Sequence, residues 1–541
     1  MNNPNISRLV LLRTSLENDY KHTLWFGKPD ASDTKSNQTN YFLSRKLGSQ
    51  FDYTNLTYIR KDNSVKVPAK YDEIVGCNYV MYQNNPNYNA NNLNQDKWYY
   101  AFVIDIKYIS EGVTELILET DVIQTWYFAY TVQPSFIERE HVSDDTIGAN
   151  TYPEQVELGE FKCNKKTIDS NMQTLYIVCA INDYANSKLE VKGDVYGGVY
   201  SGVKYLVYPY SAEGIKAINE HISSYDDDAK ANAINSIFLA PKCAISDQED
   251  FNLDGPAEMV RTWGPHEHFN TIEKQYTIDG YTPRNKKLLC FPYNYLLVSN
   301  NNGSGAIYHY EKFSTSNCDF AVKSVVTPGC SIRMTPRFYN GMDFNTDEGL
   351  NAGKYPICCW NSDAFTNWMT ANSVNTVVGV LGGAGTIALG GLAIASGAGA
   401  LVGASMIAGG VGAIANTIGQ VSQASMQPDQ VKGNTNCGDV VTGSGHNTFM
   451  FFNMSIKEEY ARIIDGYFDM FGYKVCRVKR PNTDHRSRYW YTKTIDANID
   501  GNIPNRDIQK IKDAYNNGIT FWRNGSEIGN YGLSNGIVNL S

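Results

Sequence analysis

VNTVVGVLGGAGTIALGGLAIA (Val374 to Ala395) and ALVGASMIAGGVGAIANTIGQV (Ala400 to Val421) are two apolar runs separated by Ser396-Gly397-Ala398-Gly399. No Asp, Glu, Lys, Arg or His occurs from Ala364 through Pro428. Each run is long enough to cross a hydrocarbon layer, which takes about 20 residues of helix. The small-residue break, with Ser396, Gly397 and Gly399 as hinge, predicts a hairpin. The first run carries Val374, Val377, Val378, Val380, Leu381, Ile387, Leu389, Leu392 and Ile394. At roughly −0.3 to −0.6 kcal/mol each, these supply about −3 to −5 kcal/mol of insertion free energy. The second run carries Leu401, Val402, Met406, Ile407, Val411, Ile414, Ile418 and Val421. Interspersed glycines, each about 1 kcal/mol worse than Ala in a helix, work against insertion. Both runs are therefore marginal spanning segments, better suited to storage and release than to permanent anchorage. In lipid they would be forced into helix, because no backbone group can stay unpaired there. Gly379-x-x-x-Gly383 and Gly399-x-x-x-Gly403 would permit close helix contact.

A glycine-rich hairpin buried in a large soluble core is the bland alternative, since apolar runs are often core. The length of the uncharged stretch speaks against it. A constitutive membrane protein would carry positive flanks. Here the nearest charges are Asp363, Asp429 and Lys432, a mixed set.

The remaining composition is that of a folded protein. A chain of 541 residues implies two or more domains. The net charge of −9 argues against a surface that coats nucleic acid, while a like-charged wall would let DNA pass without holding its phosphates. The 37 tyrosines fit a β-rich protein with large amphipathic surfaces. Within Met1 to Leu12 the only apolar cluster is Leu9 to Leu12, well short of a signal sequence, so the sequence predicts synthesis in the cytoplasm. Eleven cysteines without repeated C-x-x-C spacing predict mostly buried free thiols in a reducing compartment.

The expected fold class is mainly β with minor α. Residues 1–165 read as the first part of a β-rich domain, 166–290 as an inserted second domain and 291–370 as a return to β. The apolar loop then takes 371–428, and 429–541 completes the β-rich domain. Tyr100, Phe102, Ile104, Ile106 and Tyr108 alternate with polar residues and predict a strand. Ser110-Glu111-Gly112 turns it into a second strand, Leu116 to Val122, making a hairpin. Strands are expected at Leu175 to Cys179 and Tyr205 to Tyr208, with a helix from Ala212 to Ser223 capped by Ser211 and a short helix from Ala229 to Phe238. Ser455-Ile456-Lys457-Glu458 reads as a capping box. It would open a helix whose inward face is Ile456, Tyr460, Ile463, Ile464 and Tyr467 and whose end is Gly472. A last helix is expected from Arg506 to Tyr515, stopped by Gly518.

Chemistry-bearing motifs are sparse. His266-Glu267-His268 puts two histidines on one side of a strand without a suggested third ligand. Asp496-x-Asn498-x-Asp500-Gly501, with Asp507 beyond it, has the donor spacing of a calcium loop. Its strand-like entry and Pro504 read equally well as an Asp-rich turn before a helix. Asp226-Asp227-Asp228 reads as a solvated turn. Neither Gly303-Ser304-Gly305 nor Gly443-Ser444-Gly445 has the pattern of a nucleotide loop. No cofactor and no enzyme activity is expected.

Several stretches together resemble one family. They are FDYTNLTYIRKDNSVKVPAKYDEI (Phe51 to Ile74), WYYAFVIDIKY (Trp98 to Tyr108), ETDVIQTWYF (Glu119 to Phe128), PSFIEREHV (Pro134 to Val142) and TYPEQVELGE (Thr151 to Glu160). EYARIIDGYFDMFGYKVCRVKRPN (Glu459 to Asn482) and NGITFW (Asn517 to Trp522) continue the match. It is similar to that of the tail-knob, or distal tail tube, proteins of small short-tailed bacteriophages of Gram-positive hosts. The resemblance implies a structural virion protein that forms a hexameric tube at the tail tip. Its apolar loops would plug the tube, leave it on contact with the host, enter the cytoplasmic membrane and form a pore for genome ejection. The implied partners are further copies of the chain, the tail collar or tube, a tail-tip lysin that opens the wall, the host membrane, and double-stranded DNA in transit. Two other functions share parts of this pattern. A stand-alone pore-forming toxin needs the same loop without tail partners, and a cell-wall glycan hydrolase needs a spatial pair of carboxylates.

Overall fold

Alternating apolar and polar residues predict the hairpin around Glu111-Gly112, and the computed structural model forms it from Tyr99–Ser110 and Val113–Thr120. The structure describes residues 6–27, 34–84, 97–181, 195–196, 199–200, 204–223, 234–245, 258–260, 266–301, 303–324, 331–341, 349–354, 357–361 and 448–538. Side-chain alternation in the hairpin is broken where the sequence suggested one continuous row. The register slips between Val103 and Asp105 and again between Tyr108 and Ser110. One extra residue in a strand swaps the face of every side chain beyond it. Tyr100 and Phe102 therefore pack with Val10, Phe42 and Tyr79, while Ile106 packs with Ala101, Val103 and Leu116 on the opposite face. Val122 does not end the second strand. It opens a short helix, Val122–Thr125, whose N-cap Asp121 accepts from the Gln124 backbone N–H.

The chain divides into two compact units. The first comprises Met1–Leu158, Pro283–Leu288 and Glu459–Ser541, the second Gly159–Thr282 and Leu289–Glu458. In the first unit a six-stranded sheet runs Asp52–Thr57, Ile6–Leu12, Tyr79–Asn84, Tyr99–Ser110, Val113–Thr120, Ser64–Val67. A five-stranded sheet runs His22–Leu24, Ile519–Trp522, Tyr489–Ile495, Ser135–Glu140, Tyr473–Lys479. Aromatic side chains fill its core: Trp25 meets Trp490 edge-on at 5.1 Å, and Trp490 stacks on Phe521 at 5.8 Å. The predicted last helix is Asn505–Asn517, which buries Ile511, Ala514 and Tyr515.

The helix before it differs from expectation in cap and face. Ser455 belongs to the strand Met450–Ile456, and the helix spans Glu458–Phe471. Its buried residues are Ala461, Ile464, Asp465 and Phe468, with Ile463 70% exposed. The stripe turns because Asp465 must face inward. Its carboxylate accepts the backbone N–H groups of Arg284 (2.8 Å) and Asn285 (3.0 Å), which would otherwise be left without a partner.

Among its described residues the second unit has three larger sheets and the two-stranded pair Val195–Tyr196 and Val199–Tyr200. A four-stranded sheet runs Phe161–Ile168, Met450–Ile456, Asn294–Ser299, Gly305–Tyr308. A five-stranded sheet runs Glu258–Val260, Lys204–Pro209, Leu175–Ile181, Ile234–Pro241, Ile357–Asn361. The third runs His266–Glu273, Asn317–Ser324, Ser331–Arg337, Leu350–Lys354. The helix Ala212–Ser223 is present, and Ser211 Oγ accepts from the Gly214 N–H at 3.2 Å. The helix expected up to Phe238 is instead the strand Ile234–Pro241. Ile237 and Leu239 enter one core while Phe238 and Ala240 enter another, which is burial of period two. Cys77, Cys179, Cys243 and Cys318 are buried free thiols, and burial holds Cys77 up at about 11.

Gly472 sits at φ +63° after the helix Glu458–Phe471, where a Cβ would lie 2.1 Å from the Glu140 carbonyl oxygen. Gly472→Ala should cost about 2 kcal/mol or more, whereas Gly466→Ala, inside the same helix with open space around it, should gain up to about 1 kcal/mol. Urea midpoints of the two variants will show opposite shifts.

Asp121 gives a second test. It accepts from Tyr79 Oη at 2.8 Å and from the Gln124 N–H at 3.0 Å, yet burial outweighs these bonds and pushes its carboxyl up to about 6. The folded chain thus takes a proton more readily than the unfolded one, whose Asp titrates near about 3.9. This residue's contribution to stability rises as pH falls from about 6 toward about 4. Asp121→Asn should abolish that gain, so its urea midpoint will rise less than that of the natural chain over the same pH interval.

Candidate functional site: the strands that carry the apolar segment

The predicted membrane-active residues, Val377 through Val421, and the hinge Ser396, Gly397 and Gly399 lie outside the described residues. Among the described residues no helix is long and apolar enough to cross a membrane. The structure does describe the two strands between which the segment runs, and both belong to the second unit. On one side is Ile357–Asn361, the edge strand beside Ile234–Pro241. On the other is Met450–Ile456, which lies between Phe161–Ile168 and Asn294–Ser299. One continuous core joins their sheets through Ile237, Leu239, Leu296, Val298, Phe449 and Phe451. The described chain leaves packed β-structure at Asn361 and re-enters it at Thr448.

Met450–Ile456 reads MFFNMSI, with Phe451, Asn453 and Ser455 buried and Met450, Phe452 and Met454 half-buried on the other face. Directly opposed residues of an antiparallel pair share a face, so the register extends this second face across the sheet. One row is Lys166, Phe452, Leu297 and Ile307, another is Cys163, Met454 and Tyr295, and a third is Ile168, Met450 and Ser299. The aliphatic stem of Lys166 spans the sheet surface, with its ammonium 5.7 Å from the Phe452 ring centroid. Phe161 and Phe291 flank Tyr295 at 5.7 and 5.8 Å. His309 stacks on Phe291 at 4.2 Å, and burial followed by the nearby Lys312 holds its imidazole down to about 4, so it is neutral at pH 7. This face is mainly apolar, with Lys166, Ser299 and the Tyr295 hydroxyl as its polar groups. The corresponding face of the His266–Glu273 sheet is polar, with Glu267 and Lys323 paired and Thr271 donating to Asp319.

The calcium candidates separate. Asp496, Asn498 and Asp500 are exposed along one turn and strand. That turn is fastened by Asn516, which accepts from the Ala497 N–H, and by Ser135, which accepts from the Asn498 N–H. Asp507 is buried, accepting from Trp126 Nε1 at 2.7 Å and paired with Lys61. Among the described residues no group of three or more His, Cys, Asp or Glu stands close enough to hold a metal ion. His268 Nε2 lies 3.0 Å from the buried Asp169 carboxylate, which also accepts from Asn270 and caps the helix Ser170–Gln173. That histidine therefore has a structural partner.

One feature of the first unit is not visible in any sequence motif. A cleft of about 560 Å³ is lined by His141, Asp145, Arg284, Asp469 and Arg486, among others. Burial pushes the Asp469 carboxyl up to about 6 despite its ion pair with Arg284, and burial pushes His141 down to about 3. The cleft's charges are mutually balanced, and its carboxylates hold Arg284 and Asn285 in place. His141 in it is engaged by the Asp469 carbonyl and the Tyr491 N–H.

The comparisons with known proteins agree with this architecture. Residues 259–536 match the family model of the C-terminal domain of the Bacillus phage phi29 tail knob protein gp9. Residues 6–131 match the N-terminal part of caudoviral major tail proteins. Tail knob protein gp9 of Bacillus phage phi29 is 27% identical, with 97% of this chain and 98% of that protein covered. That of Bacillus phage B103 is also 27% identical, over 98% of each chain. The solved structure of the tail knob protein gp12 of bacteriophage C1 covers 98% of this chain and all of its own, at a TM-score of 0.60 and 14% identity, which shows a shared fold. With more than half its length inside the family model, this β-rich chain belongs to the family of the phage phi29 tail knob protein gp9, structural proteins of the virion tail.

Proposed function

We propose that this tail knob protein forms a hexameric tube at the tail tip and that its apolar segment is the membrane-active part. The β-rich regions, 1–165, 291–370 and 429–541, build the ring, with 166–290 inserted in it. The segment 371–428 is kept from water by the assembly and is surrendered to the host cytoplasmic membrane on infection. The observation that carries this reading is the uncharged stretch from Ala364 through Pro428 in a tail knob chain. It runs between two strands packed in one unit.

The chemistry supports the sequence of events. A ribbon with so many glycines gains only about 3 to 5 kcal/mol per run from its aliphatics in lipid, so neighbours can hold it and lipid can take it. Six hairpins supply twelve marginal helices, which satisfy one another's polar groups around an aqueous channel. The acidic balance of the chain suits a lumen through which DNA passes without sequence-specific binding. The role is structural and not enzymatic, needs no cofactor, and leaves wall degradation to a partner tail-tip lysin.

Removal of residues 374–421 tests the reading. The shortened protein should still assemble into rings, seen by electron microscopy, but should release no dye from vesicles that the full-length protein permeabilises. Leakage undiminished by the deletion contradicts the membrane role.

A further inference from the structure

The outer face of the sheet built on Met450–Ile456 carries half-buried and exposed apolar side chains, and among the described residues Phe161, Phe291 and Lys166 lie against it. Tyr295, Leu297, Ile307, Met450, Phe452 and Met454 stand together on it across three adjacent strands. Ile307 is 46% exposed, and Phe161 and Phe291 at the margin are 39% and 37% exposed. The other side of the same strands is already filled by Leu296, Val298 and Phe451. A contiguous apolar face of this extent marks an interaction surface. Its one cation in these rows, Lys166, lays its stem along the face.

We propose that this face is the resting surface of the chain's own apolar segment, residues 374–421, before release. The placement of the segment's ends selects this occupant. Residues 362–447 enter from Ile357–Asn361 and return at Thr448, two residues before Met450, the first side chain of the face on its strand. The strands that precede and follow residues 362–447 belong to the same unit as the face, so the segment is tethered to the unit that carries it. The chemistry matches as well. The segment has no charge to desolvate, and the face offers methionine, aliphatic and aromatic side chains that adapt to a glycine-rich partner of small residues. The polar groups in these rows are few: Lys166 and the Tyr295 hydroxyl, with Ser299 already bonded to Ser304 and Asn301. The proposal rests on the reading that the segment is stored and then released.

Methionine oxidation reads the face directly, because Met450 and Met454 lie on it while Met81 and Met334 are fully buried elsewhere. Full-length protein and protein lacking 374–421 would be treated with hydrogen peroxide and followed by peptide mass spectrometry. Met450 and Met454 should oxidise several-fold faster after the deletion, with Met81 and Met334 unchanged as controls for the fold. Equal rates in the two proteins overturn the proposal. Slow rates in both would mean that a second copy covers the face, and fast rates in both that it is bare. Ile307→Glu in the full-length chain is the second variant, and it should expose Met450 and Met454 without exposing Met334. Failure to do so also overturns the proposal. Vesicle leakage separates the two readings. Leakage lost on deletion with unchanged methionine rates sinks the resting surface alone. Faster oxidation on deletion of a full-length protein that never permeabilised vesicles sinks the membrane role alone.

Discussion

A β-strand has two faces, and a sheet in water can usually afford to make only one of them apolar. Met450–Ile456 carries apolar side chains on both. Phe451 is completed by the core of the second unit, while Met450, Phe452 and Met454 face away from it. The strand is also the first described element after the longest uncharged stretch in the chain. Both features set the same requirement, which is cover for apolar surface that the unit's own core cannot supply. On the proposed function, assembly at the tail tip is what meets that requirement.

The glycine content of the segment determines which environments are accessible to it. Glycine weakens helix formation by about 1 kcal/mol per residue against alanine, and the scattered valines, leucines and isoleucines return only a few tenths each in lipid. A richer aliphatic run would insert as soon as it was made. A more polar one would never insert. Between these limits, the proposed function has the contacts offered by neighbouring surfaces decide where the ribbon resides.

Much of this architecture was legible in the sequence. Period-two alternation located the Tyr99–Ser110 hairpin, strand-like apolar runs located the Leu175–Ile181 and Lys204–Pro209 strands, and capping residues located the helices Ala212–Ser223 and Asn505–Asn517. The failures have physical causes. The bulge at Ile104 reversed the faces beyond it, which no local pattern signals. Phe238 lies in a strand because its neighbours face two different cores, information that comes only from tertiary packing. Ser455 looked like a helix cap, but the strand ladder holds it, and the stripe of the next helix is set by Asp465 reaching backbone N–H groups nearly two hundred residues away in the chain. Asp507 matched a calcium spacing, yet Lys61 and Trp126 occupy its carboxylate. The apolar face around Phe452 was half visible, since MFFNMSI alternates, but only the register shows that Leu297 and Ile307 extend it.

The central claim concerns where the apolar segment resides before and after it meets lipid. Electron microscopy of the purified full-length protein, with and without vesicles at mildly acidic pH, measures this most directly. The account predicts six-fold rings whose lumen is filled by the segment in water, and whose lumen is open, with density in the bilayer beneath, once vesicles are present. A single chain with residues 374–421 folded as an interior helix pair sealed by its own domain, unchanged by lipid, would contradict it.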